Sequence, residues 1–191
     1  MYGLINKAVH DLVVTKFGEA TWNEIARKAG VNDPHFISME KYPDEVTYKL
    51  VGAASEVLKT PAEQILEAFG EYWTVYSAEA GFGHLLEFAG SNLVDFLKNL
   101  DNMHTRVALT FPKLEPPSFR VTDVTDLTDG SLRLHYYSKR PGLAPVAIGM
   151  VKGLGKRFNT PVSIRLDRSR ANGHDHDEFV VLYGDAARDR R

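Results

Sequence analysis

The chain has 191 residues, 43% hydrophobic and 25% charged, with a formal charge of -2: an ordinary globular composition, long enough to bury a sizeable core as one domain or two closely packed subdomains. That charge and an isoelectric point near 6.4 leave no basic field for nucleic acid or an anionic membrane surface. The absence of cysteine removes disulfides, thiolate nucleophiles, iron–sulfur clusters and cysteine-rich zinc sites together, and with no basic leader and no run of about 18 apolar residues a cytoplasmic protein without a membrane span is expected.

The first half reads as helical. Ile5, Val9, Leu12 and Val13 keep helical spacing and predict a helix from about Gly3 to Phe17. A second, from Thr21 to Ala29, is stopped by Gly30. After the Pro43 turn, Asp44 to Leu58 predicts a third, rich in small residues. Thr60-Pro61-Ala62-Glu63 reads as an N-cap, a first-turn proline and an acidic residue, opening a helix to about Tyr76. Gly81-Phe82-Gly83 interrupts the pattern, and a helix from about Asn92 to Leu109 closes this half.

The chemistry changes at Phe111-Pro112, because Pro116 and Pro117 in Lys-Leu-Glu-Pro-Pro-Ser cannot continue a helix. Beyond them the apolar residues alternate with period two. Phe119 to Asp126 and Leu132 to Arg140 read as a hairpin across Asp129-Gly130. A helix from about Leu143 to Phe158 comes next, then a second hairpin from Val162 to Arg168 and Glu178 to Tyr183 across the turn Ala171 to Asp177. The expected fold is α+β: a helical N-terminal part packed on a roughly four-stranded antiparallel sheet.

Two places carry candidate chemistry. In Leu134 to Gly142, strand alternation puts Tyr136, Ser138 and Arg140 on the face begun by Leu132 and Leu134, so an apolar face turns into a row of hydrogen-bond donors. Arginine offers a planar fork matched to a carboxylate, and two hydroxyls beside it suit the rest of that group or a second one. A solvated sheet face with the arginine paired to a local acid is the other reading. In the helix from Asn92, His104 falls in the stripe of Leu93, Phe96, Leu97, Leu100 and Val107. An imidazole buried there without a partner would cost about 1–3 kcal/mol, so it bonds something. Either it is a core histidine held by a backbone carbonyl, or it is a neutral imidazole that binds a metal in an apolar pocket, as haem iron is held.

Three other features take plainer readings. Gly173-His174-Asp175-His176-Asp177-Glu178 has the residue types of a metal cluster but sits in the turn of a predicted hairpin, where polar residues are expected, and is read as a turn. The glycines of Gly149 to Arg157 do not fit phosphate-loop spacing and suit a closely packed helix. His10, His35, His84 and His135 read as surface or half-buried, with His135 and Lys139 facing away from Tyr136.

Asp101 to Arg106 around His104, the following Pro116-Pro117-Ser118-Phe119, and Tyr136 to Arg140 together resemble the H-NOX family, the haem nitric oxide and oxygen binding domains. The resemblance covers almost the whole chain, from Met1 to Asn6 through Val51 to Leu58 and Phe69 to Trp73 to Gly153 to Phe158. It implies one domain, residues 1–62 forming a distal helical subdomain and 63–191 a proximal subdomain with the sheet, with haem b (iron protoporphyrin IX) buried between them. By it, His104 is the iron ligand, Tyr136, Ser138 and Arg140 bind the propionates, Pro117 presses on the haem plane and bends it, and Ile5 packs on the opposite face.

Oxygen-binding members carry a tyrosine donor on the helix after the Tyr-x-Ser-x-Arg strand, where this chain has Leu143, Val146 and Met150. The resemblance therefore implies a nitric oxide sensor, also open to carbon monoxide. Rupture of the iron–His104 bond would signal to a separate protein such as a histidine kinase or a cyclic-di-GMP enzyme. No catalytic activity of its own is expected, since the distal segment offers no acid–base pair for peroxide chemistry. Trp73 and Tyr2 are the two donors able to approach the distal side, core packing being the other role open to each. A haem carrier, or a sensor of haem occupancy or oxidation state, is the alternative function.

Overall fold

A computed structural model of the chain describes residues 1–31, 33, 35–111, 114–126 and 128–188, the side chains of 82 and 110 excepted; Pro112 and Lys113 of the predicted helix-to-strand break lie outside the described residues. Helices α1 (Gly3–Phe17) and α2 (Glu19–Lys28) meet at Gly18, whose φ of +84° is open to glycine at no steric cost. Helix α3 (Asp44–Leu58) ends on Lys59 in the left-handed region. Helix α4 (Ala62–Ser77) starts after Pro61, and the predicted Thr60 cap is not made: the Thr60 hydroxyl donates to the Leu58 carbonyl (3.1 Å). A π-helical turn at Ala78–Phe82, with Gly81 at φ +99°, breaks the chain from a short helix α5 (Gly83–Ala89) that the sequence reading did not anticipate.

Helix α6 (Leu93–Thr110) is capped by Asn92, whose side-chain oxygen accepts the Asp95 N–H at 2.9 Å. Four strands complete the chain: β1 (Ser118–Thr122), β2 (Gly130–Tyr137), β3 (Val162–Arg168) and β4 (Asp177–Tyr183), with helix α7 (Ala144–Arg157) between β2 and β3. Every pairing is antiparallel and the order is β1-β2-β4-β3. Strand β1 stops short of the predicted Asp126 because Asp123 turns to φ +55°. Strand β2 stops at Tyr137, three residues before the predicted end.

Two apolar clusters result. Helices α1 to α4 enclose Trp22, Ile25, Leu50 and Phe69. Leu93, Val94, Phe96, Leu97 and Leu100 of α6, with Val151 and Leu154 of α7, cover Leu132, Leu134, Phe179 and Val181 of the sheet. Each such buried side chain contributes about 1.5–3 kcal/mol. Helix α4 feeds the first cluster through Phe69 and lies along α7. A Cβ on Gly70 would overlap the Val146 carbonyl, and one on Gly149 the Glu67 carbonyl, so the two helices touch backbone to backbone. This is the packed-helix role expected of the α7 glycines. Lys152–Glu67 (2.5 Å) and Lys156–Glu71 flank the seam. As surface pairs they are worth about 0–1 kcal/mol, so the glycines decide how closely the helices approach.

Candidate functional site

Between the two clusters lies a cavity of about 380 Å³, within the range of about 300–1,000 Å³ usual for small-molecule sites. All eleven residues singled out from the sequence line it: Tyr2, Ile5, Trp73, His104, Pro117, Tyr136, Ser138, Arg140, Leu143, Val146 and Met150. Val9, Leu12, Phe69, Met103 and Phe119 line it too. Nothing in their apolar periodicity separated these five from ordinary core positions, so sequence reasoning missed them.

His104 lies two-thirds of the way along α6, and its Nδ1 lies 3.1 Å from the Pro117 carbonyl oxygen. With the proton on Nδ1 donated to that carbonyl, the Nε2 lone pair is free for a metal. Burial holds the imidazole pKa below its ordinary value, outweighing the Pro117 bond and the Asp101 charge, which act the other way. The ring is thus neutral at physiological pH, the form that ligates. Phe119 packs against both His104 (6.0 Å between centroids) and Tyr136 (5.2 Å). Asp101, one turn before His104, accepts from the Ser118 hydroxyl and the Phe119 N–H, each at 2.6 Å, which ties α6 to the start of β1.

The donor row does not arise as strand alternation predicts. Only Tyr136 belongs to β2; Ser138 and Arg140 lie in the bend after it. A local bond forms the bend, the Ser138 hydroxyl accepting the Arg140 N–H at 3.1 Å, and the three residues still line one cavity. Tyr136 is 4% exposed, and burial raises its hydroxyl pKa against a smaller opposing effect of its hydrogen bond with Ser138. Arg140 reaches across to α3: its Nε donates to Asp44 Oδ2 (2.8 Å) and its Nη1 to the Glu115 carbonyl (2.8 Å). Burial alone would raise the Asp44 carboxyl, but bonds from the N-terminal ammonium and Arg140 outweigh it and hold its pKa below the usual value.

Trp73 stacks with Tyr76 (5.9 Å) and leans on Phe69 (6.0 Å), while Tyr2 meets Phe111 edge-on (6.5 Å). Both lie in the cavity wall. His10 and His135 are half-buried, and His35 and His84 are exposed, as expected.

Two lobes closed on one mostly apolar cavity, with a neutral imidazole and a hydroxyl–guanidinium group in its wall, define a ligand-binding domain. The family model described as Haem-NO-binding matches residues 2–166, and the chain belongs to that family, the H-NOX domains. These are haem-based gas-sensing domains, not catalysts by themselves. The soluble guanylate cyclases gcy-34 and gcy-32 of Caenorhabditis elegans are 36% and 35% identical over 192 residues, covering 95% of this chain; the chain spans only 28% of each relative's length. An H-NOX protein from S. oneidensis in the Fe(II)NO ligation state superposes with a TM-score of 0.86 at 21% identity, covering 96% of this chain and 99% of that one. Unliganded Fe(II) H-NOX from K. algicida gives 0.82 at 21% identity, covering 96% and 97%. Among the described residues no helix is long and apolar enough to cross a membrane.

The residues present fit the family's cofactor. An iron porphyrin brings an apolar plate, one axial position for an imidazole and two carboxylates. The cavity offers an apolar lining, His104 with Nε2 uncommitted, and Tyr136, Ser138 and Arg140 as donors in the same wall.

Proposed function

We propose that this domain binds haem b in the cavity and senses nitric oxide. The observation that carries the reading is the His104–Pro117 bond, which supports a neutral imidazole with Nε2 left to ligate inside an apolar cavity. His104 would hold the iron, Tyr136, Ser138 and Arg140 the propionates, Pro117 and Ile5 the two faces of the plane. Ferrous haem, held through His104, would supply the centre at which the gas binds. Leu143, Val146 and Met150 give the wall apolar side chains without a donor, which disfavours the strongly polarised bound dioxygen while leaving nitric oxide unaffected.

Release of His104 frees α6, and the ties from Asp101 to Ser118 and Phe119 carry its movement to the start of the sheet. The local chemical change is thereby read by the packing between the two lobes. Residues 1–62 act as the distal part and 63–191 as the proximal part. The receiver proposed is a separate cytoplasmic signalling protein, such as a histidine kinase or a cyclic-di-GMP enzyme.

The test is the absorption spectrum of the reduced, haem-loaded protein under argon, then in air, then with nitric oxide. Air is expected to leave it unchanged and nitric oxide to convert it to a five-coordinate form. A stable new spectrum in air would mean that Trp73 or Tyr2 supplies a donor, and would overturn the gas assignment. Arg140→Ala is expected to speed haem loss to an acceptor apoprotein without altering the iron ligand. Unchanged loss would give the Arg140–Asp44 pair a purely structural role.

A further inference from the structure

The turn read from sequence as merely polar gains a third member in the fold. Strand register sets His135 of β2 directly opposite Glu178 of β4, and His176 folds over the pair from the end of the turn. His135 Nδ1 lies 2.8 Å from His176 Nε2 and 3.7 Å from Glu178 Oε2, and the three ligand atoms all fall within 4.8 Å of one another. The group is largely enclosed, the side chains being 15%, 14% and 6% exposed.

We propose that His135, His176 and Glu178 form a zinc site on the sheet face opposite the cavity, with water in a fourth position. Two imidazoles and a carboxylate are a ligand set suited to Zn²⁺. Tetrahedral bonds of about 2.0–2.1 Å require ligand atoms about 3.3 Å apart, so the imidazole pair opens by about 0.5 Å and Glu178 Oε2 closes on His135 Nδ1 by about 0.4 Å. The outer nitrogens are already held as a zinc site needs: His135 Nε2 lies 2.9 Å from Thr122 Oγ1, and His176 Nδ1 lies 2.7 Å from Asp175 Oδ1. The Tyr137 ring stacks on His176 at 4.4 Å and fixes its plane. Arg133 bonds the other carboxylate oxygen, Oε1, and is itself shared with Asp123 and Asp167; Arg168 Nε stands 4.0 Å from Oε2. Oε2 therefore remains available.

Without metal, one proton bridges the two facing nitrogens, His135 Nδ1–H donating to His176 Nε2. Zinc takes the place of that proton, which moves to His135 Nε2 and is donated to Thr122 Oγ1, so that both ligands stay neutral imidazoles. The ion would tie the β3–β4 turn to β2 and so brace Tyr136, the next residue along β2, on the cavity side.

The test is titration calorimetry of the haem-loaded full chain, stripped with chelator, against zinc chloride in two buffers of different ionisation enthalpy. One zinc per chain is expected, with no net proton given up by the two imidazoles. His135→Gln, His176→Gln and Glu178→Gln should each weaken binding at least about tenfold, and His174→Gln, whose side chain is outside the cluster, should not. Should a variant fold poorly, thermal melting of the wild type decides: zinc should raise its Tm, and the His135→Gln/His176→Gln double variant should show no rise. Equal zinc uptake by wild type and double variant, or an equal loss in His174→Gln, would overturn the proposal.

Discussion

His104→Gly is expected to yield a folded chain whose haem regains a histidine-like axial ligand only when free imidazole is added. The fold should survive because the side chain opens on a cavity instead of filling the α6 core stripe, which Leu93, Phe96, Leu97 and Leu100 occupy at 1–2% exposure. What is lost structurally is the bond to the Pro117 carbonyl and about 0.3–0.5 kcal/mol of helix propensity. The hole left by the ring is shaped for imidazole, which can ligate without being joined to the backbone. Ferrous absorption spectra with and without imidazole make the check. Unchanged ligation in the variant without imidazole would assign the iron to another residue.

The second large effect is on stability. Gly149→Ala should destabilise by about 1–3 kcal/mol, because the new methyl group meets the Glu67 carbonyl, a backbone atom that cannot swing aside. For a chain of this size that corresponds to a fall in Tm of roughly 2–12 °C by thermal circular dichroism. Gly52→Ala is the control. Gly52 is exposed in the middle of α3 with open space where its Cβ would go, so alanine there should raise stability by about 0.5–1 kcal/mol. Equal effects at the two sites would mean that helix propensity, not the seam, governs this region.

The helices were legible where apolar spacing was long and regular: the predicted ends of α1 and α3 agree with the structure. Helix α5 was not, since its seven residues directly follow the Gly81–Gly83 interruption and carry too short a periodicity to register. For the site, residue types singled out side chains that line one cavity, but strand alternation does not explain how they meet there. Ser138 and Arg140 join Tyr136 through a bend closed by their own hydrogen bond, beyond the reach of strand alternation. The His135–His176–Glu178 group was invisible because it depends on the register between strands that are not consecutive, β2 against β4. A neighbouring β2–β4 order cannot be read from hairpin turns, which specify only sequential pairs.

The backbone-to-backbone contact at Gly70, Gly149 and Gly153 also limits how the molecule moves. Meshed this closely, α4 and α7 cannot slide past each other by a fraction of a turn without collision, so they behave as one girder with an anchorage in each lobe. The break at Gly81 stands just beyond the girder's end, ahead of α5 and α6. The displacement of α6 proposed above would therefore take the form of a tilt pivoting near Gly81, and the surface it alters most would be the one farthest from the pivot along α6, not the α4–α7 ridge.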